Sequence, residues 1–514
     1  MFKRRAMLQT SVHRMKQRTS QPALPRSETS LSGSVSDKAR KGLLDELRAL
    51  LPGERLVTSP QDLYAYECDG QTLDRALPLA VAFPETTAEV AAIVKACAVQ
   101  GVPFLARGAG TGLSGGAVAM DSVAICTARM NQIHAVDVPN RQAWVGPGLV
   151  NAHLSRAVAG HGLHYAPDPS SQNACTIGGN VAENSGGPHT LKYGVTTNHI
   201  LALEVVLPDG RVTMLGSAVQ DAPGPDLVSA FVGSEGTFGI ATKILVRLSP
   251  LPEGVRTVLA IFDDVGAACR AVTEVLQRGV TPAAIEMIDQ ITLRAVEAYI
   301  HAGFPLDAAA VLLIEVDGLR EELDEQATAV IEGCRAAGVR EVRLARDEAE
   351  RLKLWKGRKQ AFGALGRLAP NYYTHDGVIP RTRLPEVLAE IARIGERHQL
   401  TIGNVFHAGD GNLHPVVLYD ERQPGVIERV RAAGDDILRL VIGMGGALSG
   451  EHGIGLEKVE YMGQLFSEAD LERMRRLRQV FDPCGLSNPG KVIPAPGRCV
   501  EPGSGSGRKL PLGH

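Results

Sequence analysis

The sequence predicts an α+β protein in two parts, and three observations carry that expectation. Short apolar strands and amphipathic helices alternate from about residue 43 onward. In the first half this alternation delivers glycine-rich loops, one of them directly after a strand–helix–strand run. At Pro250-Leu251-Pro252 the composition shifts: glycine thins out, and strands and helices interleave without such a loop. A chain of 514 residues has room for two or more domains, since single domains mostly run about 100–200 residues. The expected division is 38–250 and 251–495, between a start (1–37) and a tail (496–514) that read as unstructured.

Leu79–Phe83 is a short apolar run stopped by Pro84, which lacks a backbone donor. A helix opens at Thr87, with Val90, Ile93, Val94 and Cys97 on one face. The next strand, Val102–Ala106, runs into the loop Arg107–Ala117. Ala143–Val145 closes a further strand at Gly146-Pro147-Gly148, and Asn151–Ala159 is a short helix. Leu201–Leu207 is strand-like and ends at Pro208-Asp209-Gly210, a hairpin turn. Past residue 250, Thr257–Phe262 and Val311–Val316 read as strands. Glu321–Ala337, Leu384–His398 and Val426–Ile442 read as long amphipathic helices. Asp470–Phe481 is a last helix, leading to Asn488-Pro489-Gly490-Lys491.

Composition excludes several functions. A formal net charge of −3 leaves no footprint for nucleic acid. No apolar run reaches the roughly 18 residues of a membrane span, so a soluble, cytoplasmic chain is expected. The 8 cysteines are scattered with no CxxC pair, which fits a reducing compartment and argues against a resident iron–sulfur or zinc-ribbon site. The first 37 residues are basic, acid-poor and rich in Ser and Thr. A transit peptide has this composition, as does a disordered extension; Arg4-Arg5 suggests a twin-arginine signal, but the long apolar stretch that should follow it is missing, and disorder is preferred.

A loop such as Gly108–Gly112 lets backbone N–H groups turn toward a phosphate and approach it closely. It is not the dinucleotide G-x-G-x-x-G in its usual setting. It also lacks the Lys-Ser/Thr of a P-loop, which argues against nucleotide hydrolysis. Glycine clusters commonly mark turns, so further clusters matter. Pro167–Ser171 with Thr176–Gly187, and then Gly233–Ile240, add donors and small side chains that suit an extended pyrophosphate and a flat ring.

The second half carries two histidine-bearing segments. In His407–His414 the central Asp410-Gly411 is a preferred two-residue hairpin turn. Counting outward, Gly409 faces Asn412, Ala408 faces Leu413, and His407 faces His414. Directly opposed residues share a face with Cβ atoms about 4.5–5.5 Å apart, close enough for two imidazoles to bind one metal ion. Glu451, in Gly450-Glu451-His452-Gly453, would supply a third, oxygen ligand and leave His452 free to move protons. A single strand histidine is usually just a satisfied polar residue; the pair gains weight from the Glu-His segment.

The three glycine clusters, in this order and spacing, resemble the FAD domain of the vanillyl-alcohol oxidase type, also called PCMH-type. His407–Pro415, Gly450–Gly455 and Asn488–Lys491 resemble the FAD-linked oxidase C-terminal domain of D-2-hydroxyacid dehydrogenases. Tyr66–Gly70, Asp347–Arg351 with Trp355 and Gly357–Lys359, and Asp376–Arg381 are similar to the flavin subunits of bacterial glycolate oxidases. The likeness runs from about residue 40 to 495. It implies a two-part PCMH-type FAD-binding domain followed by an α+β FAD-linked oxidase C-terminal domain.

By this resemblance Arg107, Gly108, Ala109, Gly110, Thr111 and Gly112 hold the FAD pyrophosphate. Pro167, Asp168, Ser170 and Ser171 border the ribityl chain and isoalloxazine. So do Ile177, Gly178, Gly179, Asn180, Glu183, Asn184, Ser185, Gly186 and Gly187. Ile240 would contact the adenine side, and Asn488 the flavin from the second domain. No His or Cys stands in the expected covalent position, so non-covalent FAD is implied. His407, His414 and Glu451 match the family's ligands to a divalent metal (zinc or manganese), and His452 its catalytic base. Arg358 matches the position that binds the substrate carboxylate.

Two departures bear on the substrate. Thr374 and His375 stand where hydroxyglutarate- and mandelate-type members have Lys, and Val416 where they have Asn. Both changes remove polar contacts to a long second carboxylate. The expected reaction is FAD-dependent oxidation of a small D-2-hydroxy acid, glycolate to glyoxylate. D-lactate is the alternative, with D-2-hydroxyglutarate oxidation and alkylglycerone-phosphate synthesis further off. The resemblance also implies a second FAD-type subunit and an iron–sulfur subunit as electron-taking partners, with the inner membrane reached only through that complex.

Overall fold

The apolar runs of the sequence build three main sheets in a computed structural model that describes residues 35–219 and 224–495. The basic extension up to residue 34 and the tail from 496 lie outside the described residues. In the first sheet Ala80–Ala82, Val123–Cys126 and Phe104–Arg107 are parallel, with Leu56–Val57 antiparallel at the edge. Parallel neighbours need a crossover, and helix Thr87–Gln100 supplies it. It starts where Thr86 Oγ1 accepts the Glu89 N–H at 3.2 Å and stops at Gly101, φ 65°. Val90, Ile93, Val94 and Cys97, the predicted face, are buried in the core that also holds Leu43 and Leu47 of helix Asp37–Leu50. The Arg107–Ala117 loop therefore leaves the carboxyl end of a parallel strand, where ligands bind in open α/β sheets.

The second sheet is antiparallel, in the order Ile133–Asp137, Gln142–Val145, Ile240–Arg247, Ile200–Val206, Val212–Gly216. The predicted turn joins its last two neighbours, with the Gly210 N–H donating to Leu207 O at 2.8 Å. Helix Ile177–Glu183 lies against this sheet; Thr176 Oγ1 caps it by accepting the Gly179 N–H at 3.1 Å.

The third sheet is covered on both faces, which is why its strands read as continuous apolar runs. Along Gly254–Phe262, Val258, Ala260 and Phe262 pack with helices Val265–Gln277, Leu323–Ala336 and Leu384–His398. Leu259 and Ile261 point the other way, into a core with helices Gln290–Ile300, Glu348–Lys359 and Ala361–Leu365. Helix Leu384–His398 has its predicted bounds. The last helix begins earlier than expected, at Glu468, because Ser467 and Asp470 form a capping box.

After Phe481 the chain returns to the first part. The Phe481 ring stacks on Phe238 at 4.6 Å, and the Asn488 N–H donates to Phe104 O at 2.8 Å. Elsewhere charge joins the two parts. His189 Nδ1 lies 2.9 Å from Asp168, its Nε2 lies 3.5 Å from Glu315, and its ring stacks on Trp355 at 5.5 Å. Glu315 also accepts from Thr257 Oγ1 at 2.7 Å and Arg351 at 3.0 Å, while Lys359 reaches Asp168 at 3.5 Å. Lys192 pairs with Asp317 across the same seam.

Burial works against charge on His189, but Asp168 and Glu315 outweigh it and raise the imidazole to about 10. A raised pKa gives stability that is full below the unfolded value of about 6.5 and is lost as pH climbs through the folded value. His189→Gln should therefore cost about 1.5–3 kcal/mol at neutral pH, the range for a hydrogen bond to a charged group. In thermal unfolding the gap between wild type and variant should close as pH approaches 10. A gap that does not change with pH would show that His189 packs but does not pair.

Candidate active site

The loop after the first sheet, helix Ile177–Glu183 and the second part enclose a cavity of about 430 Å³. Gly108–Leu113, Gly116-Ala117, Pro169–Ser171 and Cys175-Thr176 form one side, with Gly179, Asn180, Ala182, Glu183, Ser185, Glu235 and Gly236. Phe362, Tyr372, His414, Glu451 and His452 close it from the second part. The N–H groups of residues 109–113 donate to no described residue, so the loop fits phosphate oxygens. Gly110 sits at φ 68°, where a Cβ would strike the Arg107 guanidinium. Arg107 itself lies behind the loop, donating to Cys68 O at 2.9 Å and Ala117 O at 3.2 Å.

Of the residues implied for FAD, Gly108, Ala109, Gly110, Thr111, Gly112, Ser170, Ser171, Gly179, Asn180, Glu183 and Ser185 line the cavity. The others shape it from outside. Pro167 O accepts from Asn151 at 3.0 Å, and Asp168 is engaged by His189. Ile177 and Ile240 are buried in sheet cores, and Gly178 packs on Pro147. Asn184 Oδ1 accepts the Thr197 N–H at 2.9 Å. Gly186 faces Glu451, and Gly187 lies against the Asp168 backbone. Asn488 Nδ2 donates to Gly116 O at 2.9 Å and Glu235 O at 2.7 Å, which ties the returning chain to the loop.

The histidine hairpin has a different register from the one expected. Asn404 pairs with Pro415 and His407 with Asn412, so the turn is the four residues Ala408–Gly411. Neighbouring segments hold it open: the Gly409 N–H donates to Ile285 O at 3.1 Å, and Arg381 donates to Gly409 O at 3.0 Å. Continuing the register sets His414 across from Val405, diagonal to His407. A slip of two residues keeps the face, so the imidazoles still meet, with centroids 5.0 Å apart.

Glu451 Oε1 lies 3.0 Å from His407 Nε2 and 3.2 Å from His414 Nε2. Ligand atoms of all three lie within 4.8 Å of one another, and both His414 nitrogens are buried without a hydrogen-bond partner. Two imidazoles and a carboxylate in this arrangement fit a divalent ion. Burial opposes charge on His407, yet Glu286 and Glu451 outweigh it and hold the imidazole well above its usual range. Burial likewise opposes ionisation of Glu451, yet His407 and His414 hold it well below the carboxylate range.

The family of FAD binding domains matches residues 78–216, and the C-terminal domain of FAD linked oxidases matches residues 251–492. The chain belongs to the FAD-linked oxidase family. Glycolate oxidase subunit GlcD of Escherichia coli (strain K12) is 46% identical, over 93% of this chain and 96% of its own. GlcD of Bacillus subtilis (strain 168) is 38% identical, covering 84% and 92%. A D-lactate dehydrogenase of Archaeoglobus fulgidus is 33% identical, covering 88% and 99%. Among solved structures, p-cresol methylhydroxylase superposes with TM-score 0.76 at 18% identity, over 89% of this chain and 97% of that one. Alkyldihydroxyacetonephosphate synthase gives 0.70 at 18%, over 88% and 86%. At such identity these two structures share the fold. The expected PCMH-type α+β architecture, the FAD cofactor and the oxidoreductase class all stand.

Two acids that the sequence reading missed support this oxidase's site. Glu286 lies directly across the sheet from His407, and its Oε1 sits 2.8 Å from His407 Nδ1. An acid in the middle of the apolar strand Ala284–Asp289 was the readable signal. Arg358 Nε donates to Glu286 Oε2 at 2.6 Å, which places Arg358 beneath Glu286, fully buried and off the cavity wall. Asp376 accepts Ser449 Oγ at 2.5 Å and the N–H groups of Gly450 and His452 at 3.0 Å and Glu451 at 3.3 Å. This anchor lets His452 stack on His414 with centroids 4.7 Å apart. Burial pushes the His452 imidazole down to about 4, so it stands neutral near pH 7.

Phe362, Tyr372 and Glu235 were also missed; the two rings carried no motif. Thr374 and Val416 pair across strands and are buried, while His375 turns to Glu457 at 3.0 Å. No described Lys or Arg lines the cavity. Metal-ligating histidines are oriented by the partner of their other nitrogen, and losing it typically costs about 10–100-fold in metal affinity. Glu286→Gln should show such a loss in chelator competition while FAD absorbance is retained. Equal metal retention in variant and wild type would remove His407 from the ligand set.

Proposed function

We propose that this chain oxidises glycolate to glyoxylate as the flavin-bearing subunit of a larger oxidase. One observation carries the reading: His452 and members of the His407–His414–Glu451 cluster open onto the same cavity as the glycine loop. When bound, FAD supplies the hydride acceptor. His407, His414 and Glu451 would hold a divalent ion, which would supply Lewis acidity toward an α-hydroxy acid. His452 takes the hydroxyl proton as C2 gives up its hydride, so the acid loses two electrons and two hydrogens and becomes the 2-oxo acid. The buried wall holds the substrate in one orientation and keeps water away from the reacting carbon.

The charge of the wall favours a short acid. With no Lys or Arg among the described residues lining the cavity, a second carboxylate gains no counter-charge there. D-lactate, one methyl larger than glycolate, is the second reading, supported by the D-lactate dehydrogenase of Archaeoglobus fulgidus at 33% identity. The word "subunit" in the name of the Escherichia coli relative supports an assembly. In it a second FAD-type subunit and an iron–sulfur subunit would take up the electrons. Among the described residues no helix is long and apolar enough to cross a membrane, so contact with the inner membrane would run through those partners.

Anaerobic titration of the purified chain with glycolate, D-lactate, L-lactate and D-2-hydroxyglutarate, read as loss of flavin absorbance, orders the substrates. Glycolate should reduce the flavin; bleaching by D-2-hydroxyglutarate alone would overturn the short-acid reading. His452→Ala should slow reduction about 10²–10⁴-fold with FAD content unchanged. Undiminished reduction would remove His452 from the proton transfer. His414→Ala should release bound metal, and unchanged metal content would refute the ligand set.

A further inference from the structure

We propose that Glu183 and Glu235 share one proton at the wall of the flavin cavity, with Glu183 as the neutral member that offers an O–H to the cofactor. The proposal rests on this cavity being the FAD site, and it goes beyond the chemistry assigned to the histidines and Glu451.

Both acids line the cavity. Glu183 ends helix Ile177–Glu183, and Glu235 sits in a tight turn at φ 51°. Two glycines, one from each part of the molecule, form the walls around the pair. A Cβ at Gly116 would lie 3.0 Å from Glu183 Oε1 and 3.5 Å from Glu235 Oε2. A Cβ at Gly453 would strike Glu183 Oε2 and lie 2.7 Å from Glu235 Oε1. The two carboxyls therefore occupy one gap.

Their partners are divided unevenly. Glu235 Oε1 accepts the Ile454 N–H at 2.6 Å, and its Oε2 accepts the Gly455 N–H at 2.8 Å. Glu183 Oε2 is buried with no partner. Neither acid forms an ion pair with a described residue. The lysines that face the gap are held by other groups. Lys458 donates to Asp376 O at 3.0 Å, and Lys491 donates to Val118 O at 2.7 Å and Asn488 Oδ1 at 2.6 Å. Asp69, the third acid facing the gap, accepts the Gln71 N–H at 3.0 Å and the Ala117 N–H at 3.3 Å.

Two carboxylates so close, without a cation between them, do not both ionise, and the proton stays on the one with fewer donors. That one is Glu183. Burial raises its pKa well above the usual carboxylate range, and the charges of Glu235 and Asp69 add to this against the pull of Lys458 and Lys491. Burial raises Glu235 too, while its two backbone donors pull it back. Glu183→Gln keeps a neutral donor of the same shape but cannot ionise, so it isolates the proton from the fold.

The direct test is infrared spectroscopy of the holoprotein at neutral pH, wild type minus Glu183→Gln. A protonated-carboxyl C=O band that shifts in D2O and is lost in the variant is the expected result. Superimposable spectra in that region would overturn the proposal. This arm needs no substrate, so its failure leaves the glycolate reading standing. The second arm is FAD affinity against pH. Wild type should weaken about tenfold for each unit by which the cofactor moves the Glu183 pKa, once Glu183 ionises above neutrality, while Glu183→Gln stays flat. Glu235→Gln removes the charge that raises Glu183, so the break in affinity should move to lower pH than in wild type. Parallel affinity profiles in wild type and Glu183→Gln would overturn the contact with the cofactor.

Discussion

The active site depends on the antiparallel register that sets Glu286 directly across from His407. In the middle of a sheet covered on both faces, a lone carboxylate would be costly to bury. Here each oxygen is answered: Oε2 by Arg358 at 2.6 Å and Oε1 by His407 at 2.8 Å. Burial opposes the charge of Glu286, but Arg358 and His407 outweigh it and keep the carboxyl below its usual range. The second imidazole nitrogen is thereby pointed at Glu451. A one-residue slip of the Thr401–His407 strand would turn His407 to the opposite face and leave Glu286 with Arg358 alone.

The cavity exists because the two parts meet along a seam with different contacts at its two ends. At one end the returning C-terminal segment docks on strand Phe104–Arg107, and Asn488 reaches both the glycine loop and the Glu235 turn. At the other end His189 lies between Asp168 and Glu315. Between them small residues bring the backbones together: Gly453 of the second part lies against Glu183 and Glu235, and Gly455 against the Ser114 backbone. The seam combines apolar contacts, such as Phe481 on Phe238, with these directional polar ones.

What the sequence made legible was local. Helices Thr87–Gln100 and Leu384–His398 could be read because their apolar residues repeat at the helical period, the first capped by Thr86 and Gly101 and the second opened by Pro385. The shared face of His407 and His414 was legible because side-chain alternation survives a shift of two. The register was not, because Ile285 and Arg381, distant in sequence, hold the four-residue turn. Glu286 and Asp376 went unread for the same reason: each acts only on residues brought to it by the fold. Arg107, Asp168 and Asn488 belong to recognisable segments, yet their side chains brace the cavity from behind. A motif locates a segment more reliably than it says which way a side chain points.

His414 belongs to two three-ligand sets, one with His407 and Glu451 and one with Asp376 and His452. The fold distinguishes them. Asp376 is already saturated by Ser449 Oγ, three successive backbone N–H groups and Lys458, and its Oδ1 stands 3.8 Å from His414. Withdrawing it to bind an ion would dismantle the turn that presents Glu451. By contrast, Glu451 Oε1 already lies 3.0 Å from His407 Nε2 and 3.2 Å from His414 Nε2, with His407 held from behind by Glu286. The same anchor also explains how two adjacent residues serve one site. In an extended segment Glu451 and His452 would diverge, but with all three amides tied to one carboxylate the chain curls, and both side chains reach His414 from different sides.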